Sequence, residues 1–418
     1  MRKYTSRNFK KTYDLGRYAP LYQNNIFSRL KNSRTPAERM MPFELDFGPV
    51  EFKVARHFGF CKGVENAIEV AYETLATYPN HRVFMISELI HNSFVNEDLK
   101  ERGLRFIKTA KGKQLIPWDE IRADDIVITP AFGATIEDQQ ELISRGVEIQ
   151  KWNATCRFVE NVWFRAQELG VQGYSIIIHG KFKHEETQGT LSHSRQSAPT
   201  IVVKNMEEAQ QLGEIMLGMR PIEDFYTLFK EKASEGFDPV KDLERIAVVN
   251  QTTMLASETA DISDFFKEVM LNRYGLEEVE YRIANTRDTL CYATKNNQSA
   301  TLRLLAEQAD MAIVIGGRNS SNTSHLVELC EQKLDTYFIA SERDIINPDQ
   351  ILHYDFHRNE ERYIFNFIPQ KEKVRFLLTS GASCPDAIVE RVLLRLLGFF
   401  RNTQPIEEVI KSYETVSV

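Results

Sequence analysis

From about residue 52 onward one grammar repeats along this chain: a short apolar strand, a polar or glycine-containing loop, then a helix that opens on a capping residue. EFKVARH runs through FGFCKG into VENAIEVAYETL, RVFMIS through ELIHNS into FVNEDLKERG, and DIVITPA through FGAT into IEDQQELISRG. VEIQKWNATC then leads into RFVENVWFRAQELG, YSIIIHG into KFKHEETQGT, and MAIVIGGRNSSN into TSHLVELCEQK. RFLLTSGASC precedes PDAIVERVLLRLLGFF near the end. Strands alternating with helices of this length specify an α/β chain with parallel sheets, in which ligands sit at the carboxyl ends of the strands.

The chain is 418 residues long, 42% hydrophobic and 27% charged, enough for two or three domains and unlike a disordered or membrane-spanning chain. No apolar run is long enough to span a bilayer, and the N-terminus lacks the apolar centre of a secretory signal. A net charge of −7 disfavours non-specific nucleic-acid binding. The balance reverses at the start, where Arg2, Lys3, Arg7, Lys10, Lys11, Arg17, Arg29, Lys31, Arg34 and Arg39 face only Asp14 and Glu38. That stretch reads as a flexible arm, a transit segment or a surface layer. The segment at 218–245 reads as a polar, helical surface hairpin inserted into the α/β pattern.

Five cysteines, none in a Cys-x-x-Cys pair, exclude a disulfide scaffold and a zinc finger and fit a reducing compartment. Cys61, Cys156 and Cys291 each fall in a loop between a strand and a helix. Each alone reads as a small buried hydrophobe. Three in equivalent loops are one thiolate short of a closed tetrahedral site, the arrangement an iron-sulfur cluster with one open iron requires. Cys330 lies inside a helix; Cys384 lies in a loop at a helix start and is a weaker ligand candidate.

GGRNSSNTSHL places two glycines, then Ser320, Ser321 and Asn322, at a helix N-terminus, where free N–H groups and the helix dipole favour an anion. TSGASCPD repeats this with Ser383, and ordinary helix capping explains either motif taken singly. Neither is a nucleotide-binding fingerprint. His91 and His184 follow strand ends, with Lys181, Lys183, Glu185 and Glu186 crowding the second loop. Gln251, Thr252 and Thr253 end the strand RIAVVN, where a threonine hydroxyl can orient an alcohol.

GFCKGVENAI, SELIHN, NATC, HEETQGT, NQTTM, CYATKNNQ, GGRNSSN and TSGAS, in this order, resemble the LytB-type 4-hydroxy-3-methylbut-2-enyl diphosphate reductase family, in its cyanobacterial and plant branch. The resemblance implies three small parallel-sheet α/β domains in a pseudo-threefold trefoil around a 4Fe-4S cluster held by Cys61, Cys156 and Cys291. On that basis residues 1–51 form a basic extension, 52–152, 153–285 and 286–378 three domains, and 379–418 a closing segment. The implied reaction removes the hydroxyl of an allylic alcohol diphosphate as water, with two electrons and two protons, giving isopentenyl and dimethylallyl diphosphates. His91, His184, Ser320, Ser321, Asn322 and Ser383 would hold the diphosphate, Thr252 the substrate hydroxyl, and Glu186 would deliver the proton. The implied electron donor is ferredoxin or flavodoxin, the implied state a monomer or homodimer, and the implied compartment the cytoplasm, or the plastid stroma if the basic N-terminus is a transit segment. Phe132 stands where the common bacterial form has a diphosphate-binding histidine, with Lys181 a candidate replacement, and Asn66, Asn153 and Arg157 are further departures. Those departures motivate two alternatives: an iron-sulfur enzyme acting on another phosphorylated alcohol, or a non-catalytic anion-binding homologue.

Overall fold

The computed structural model describes residues 14–32, 41–286 and 288–414. Of the basic N-terminal residues, Arg2, Lys3, Arg7, Lys10, Lys11, Arg34 and Arg39 lie outside the described residues. The chain forms two compact units, one containing Asn66–Leu89 and Leu99–Cys291, the other residues 14–65, Ile90–Asp98 and 292–414 in their described parts.

The first unit holds two three-stranded parallel sheets. In one, Val83–Met85 lies between Arg105–Phe106 and Ile126–Ile128; in the other, Ser175–His179 lies between Thr200–Val203 and Ile246–Asn250. The central strand SIIIH is buried at all five positions, as a strand covered on both faces must be. Phe84, Ile107, Val127 and Leu142 centre the core of the first sheet. Ile177, Ile201, Leu212 and Phe266 centre the larger core of the second.

The second unit is built on a five-stranded sheet in the order Phe43–Asp46, Val50–Val54, Val374–Ser380, Met311–Ile315, Asp335–Ile339. All pairings are parallel except the first, a hairpin. The opening strand of the repeating grammar thus pairs with Val374–Ser380 and not with the strand that follows it. A three-stranded antiparallel sheet, Ile345–Asn347, Gln350–Asp355 and Glu360–Phe365, completes the unit.

Two readings change, and the surface layer is chosen among the alternatives for the N-terminal stretch. VEIQKWNATC is not a strand: it turns at 150–152 and keeps only a bridge from Thr129 to Asn153, whose Oδ1 accepts the Thr155 N–H in a further local turn before Cys156. The segment at 218–245 is no polar hairpin, since Phe225, Phe229, Phe237 and Leu243 are buried in the core of the second sheet. Residues 14–32 are a packed layer in their described part. Phe27 and Leu30 are fully buried, and the Glu390 carboxylate accepts the N–H groups of Asn25, Ile26 and Phe27 at the start of the helix Ile26–Asn32.

Candidate active site

The three loop cysteines share one local geometry. Cys61 immediately precedes the helix Lys62–Thr77, Cys156 caps Arg157–Val171, and Cys291 immediately precedes Tyr292–Leu304. All three are half-buried, and a thiolate at a helix start is favoured by the exposed N–H groups there. Cys330 and Cys384 are buried, and burial pushes the Cys330 thiol up to about 12 and that of Cys384 further in the same direction. Among the described residues no group of three or more His, Cys, Asp or Glu side chains is gathered as a ready metal site. By donor type and by its place at a helix start, each of the three loop cysteines offers a soft thiolate of the kind an iron-sulfur group takes; the two buried ones, whose thiols burial keeps protonated, do not.

In the first unit the residues singled out in HEETQGT, NQTTM and NATC come together. Glu186 is 1% exposed, and its Oε1 accepts the Thr252 N–H at 2.5 Å while its Oε2 accepts the Thr252 hydroxyl at 3.0 Å. The carbonyl of Thr252 accepts the N–H of Cys291 at 3.2 Å. One threonine therefore touches a buried carboxylate on one side and a cysteine loop on the other. Beneath it lies Gln251, fully buried, whose Oε1 accepts the Lys181 N–H and the Thr187 hydroxyl and whose Nε2 donates to Thr253 Oγ1. This amide ties the His184–Glu186 loop to the Thr252 loop. The sequence shows Gln251 only as a strand end, because a side chain's partner 70 residues away leaves no local signal.

His184 caps the helix Glu185–Ser194, its Nδ1 accepting the Glu186 N–H at 3.2 Å. A neutral ring with Nδ1 so engaged carries its proton on Nε2 and can donate it to an anion. Phe132 packs edge-on to this imidazole, ring centroids 5.6 Å apart at 85°. Lys181 is half-buried on the same loop. Cys156 is held by its N–H to the carbonyl of Ala131, the neighbour of Phe132.

In the second unit three strand-end loops converge. A Cβ on Gly317 would lie 1.8 Å from the carbonyl oxygen of His91, so only glycine lets these backbones approach. Asn92 Nδ2 donates to the Ser383 carbonyl, and Asn322 Oδ1 accepts the Ala382 N–H at 2.9 Å. Asn322 also accepts from Asn297 and donates to Thr294, two residues of the CYATKNNQ motif. Ser320 caps the helix Ser321–Glu331 through the Thr323 N–H. Ser321 Oγ, buried in that first turn, has no hydrogen-bond partner among the described residues. His91, Ser320, Ser321, Asn322 and Ser383 are all buried in this unit, and Cys61 joins them through its N–H to the Ala382 carbonyl.

A family model described as LytB protein matches residues 52–397. The chain belongs to the LytB protein family. It is 38% identical over 376 residues to the 4-hydroxy-3-methylbut-2-enyl diphosphate reductase of Crocosphaera subtropica, covering 90% of this chain and 89% of that one. To the protein of the same name from Synechococcus sp. (strain CC9311) it is 36% identical over 403 residues, covering 96% of both. The solved structure of E-1-hydroxy-2-methyl-but-2-enyl-4-diphosphate reductase from Plasmodium falciparum superposes with a TM-score of 0.58 at 21% identity, over 82% of this chain and 86% of that one, which establishes likeness of fold.

Proposed function

We propose that this LytB-family chain is a 4-hydroxy-3-methylbut-2-enyl diphosphate reductase, the last step of non-mevalonate isoprenoid precursor synthesis. It adds two electrons and two protons to the allylic alcohol diphosphate and releases water with isopentenyl and dimethylallyl diphosphates. The observation that carries the mechanism is the buried pair of Glu186 and Thr252 beside Cys291. Cys61, Cys156 and Cys291 would hold a 4Fe-4S cluster with one iron open. When bound, that cluster supplies the electrons, received from ferredoxin or flavodoxin, and an electrophilic site for the substrate oxygen.

The chain's own residues do the rest. His91, His184, Ser320, Ser321, Asn322 and Ser383 hold the diphosphate, with imidazole, hydroxyl and amide donors that a phosphate accepts strongly. Thr252 positions the substrate hydroxyl. When Glu186 carries a proton on Oε2, the Thr252 oxygen becomes the acceptor and its own hydrogen turns toward the substrate, so the proton reaches the departing oxygen in two short steps. Water then leaves in place of hydroxide. The pair of relatives sharing this name over nine-tenths of the chain does not favour the alternatives of another phosphorylated alcohol or a non-catalytic homologue.

The test is anaerobic purification, iron and sulfide analysis, and turnover with the allylic diphosphate and a strong artificial reductant. Both C5 diphosphates should form by mass spectrometry. Iron-loaded protein that binds the diphosphate and yields neither product refutes the assignment.

A further inference from the structure

We propose that Lys31, which precedes the family-matched region, is a positioning residue for the Cys61 loop. Its ammonium donates to the Phe58 carbonyl at 2.9 Å and to Asp386 Oδ2 at 2.7 Å, and sits 3.9 Å from the centre of the Phe58 ring. Two further contacts come from the same layer: Phe27 meets Phe58 edge-on at 4.9 Å, and Tyr22 meets Phe60 at 5.9 Å. The layer itself is anchored, because Glu390 caps its helix.

The loop from Phe58 to Cys61 needs such a brace. Gly59 has φ +81°, and a Cβ there would lie 1.7 Å from Asp386 Oδ1, so the loop runs hard against the start of the helix Asp386–Leu397. The loop is also tied by the Gly59 N–H to Ser380 Oγ at 3.0 Å and by the Cys61 N–H to the Ala382 carbonyl at a long 3.4 Å. The Lys31 ammonium bonds at once to the Phe58 carbonyl and to the Asp386 carboxylate, and so bridges two acceptors that could not bond to each other. The same ammonium joins the Cys61 loop to the helix that follows Ser383. The ion pair is about one-quarter exposed on both sides, so its contribution to global stability is small and its effect is local.

That this positioning serves a cluster rests on Cys61 being a ligand, so the primary test does not use the cluster. In metal-free, full-length protein, site-resolved alkylation by iodoacetamide is followed by peptide mass mapping. In Lys31→Met the Cys61 rate should rise about three- to tenfold, with Cys156 and Cys291 within about twofold of wild type, as local opening predicts. Lys31→Arg should return Cys61 toward the wild-type rate. Arg29→Met, on the same helix as Lys31, removes the pair to the distant Glu407 and should leave it unchanged. An unchanged Cys61 rate in Lys31→Met, a common rise at all three cysteines, or the same rise in Arg29→Met overturns the proposal. In reconstituted protein, Lys31→Met should lose iron faster to a chelator. Faster Cys61 labelling with unchanged iron loss would fault the ligand assignment of Cys61 and leave the brace standing.

Discussion

At the scale of single residues, the structure sharpens the choice between Glu185 and Glu186. An extended loop would have pointed them to opposite sides by alternation; both instead lie in the first helical turn after His184, where neighbours differ by about 100°. Glu186 is the one turned inward, to Thr252. Glu186→Gln should therefore keep iron and substrate affinity and lose about 10²–10⁴-fold in turnover, the usual contribution of a positioned acid, while Glu185→Gln should be mild. Single-turnover rates of both variants with an artificial reductant check this, and a larger loss in Glu185→Gln would reverse the assignment. The cysteines divide in the same way. Cys330→Ser and Cys384→Ser should leave iron content near wild type, whereas Ser at 61, 156 or 291 should strip it. The places of Cys61, Cys156 and Cys291 at helix starts were legible from the motifs. The hydrogen bonds that make Thr252 a hub were not, because they join positions 66 residues apart.

At the scale of elements, the strand-end loops of the second unit approach one another so closely that several positions admit only glycine. Gly317 is held by the His91 carbonyl, and Gly381 and Gly316 both abut the Thr323 hydroxyl, which a Cβ would meet at 2.0 and 2.4 Å. Gly317→Ala must push the His91 loop away, so it should weaken diphosphate binding more than Asn322→Ala does. The latter should cost about 1–3 kcal/mol, the range for a hydrogen bond to a charged group. Titration calorimetry with inorganic diphosphate measures both, and equal affinities in Gly317→Ala and wild type would remove His91 from the site. Helix and strand positions were legible from periodicity, and most loops followed. Periodicity failed at VEIQKWNATC, where apolar alternation mimics a strand but the chain turns at 150–152. It failed again at 218–245, whose phenylalanines are spaced too irregularly to announce a core.

At the scale of the whole chain, the pairing of Val50–Val54 with Val374–Ser380 and the burial of residues 14–32 on Asp386–Leu397 are the least legible features, since contacts over more than 300 residues leave no periodic trace. Each unit also holds a histidine whose pKa burial depresses. In one, burial holds the imidazole of His193 below its ordinary range as it stacks on Trp163 at 3.8 Å and bonds through Nε2 to the Ala134 carbonyl. In the other, burial and then the Arg362 charge hold His353 low while its Nδ1 accepts the Phe338 N–H. A histidine whose folded pKa is depressed binds its proton more readily when unfolded. Its contribution is fully present above the unfolded value near 6.5 and is lost as pH falls from there toward the folded pKa. Asp46 and Asp355, whose pKa values are lowered against the penalty of burial by hydrogen bonds and neighbouring cations, extend the loss further into acid. The thermal midpoint of the metal-free protein should accordingly fall between pH 7.5 and 5.5. His353→Asn keeps an acceptor near the Nδ1 position without a titrating ring, and His193→Gln keeps a donor near Nε2. Each should flatten the fall, and the double variant should flatten it most, because the sites lie in separate cores and act independently. Differential scanning calorimetry across that range decides it: a double variant as acid-sensitive as wild type would place the sensitivity elsewhere, first in His57, the other imidazole that burial holds low.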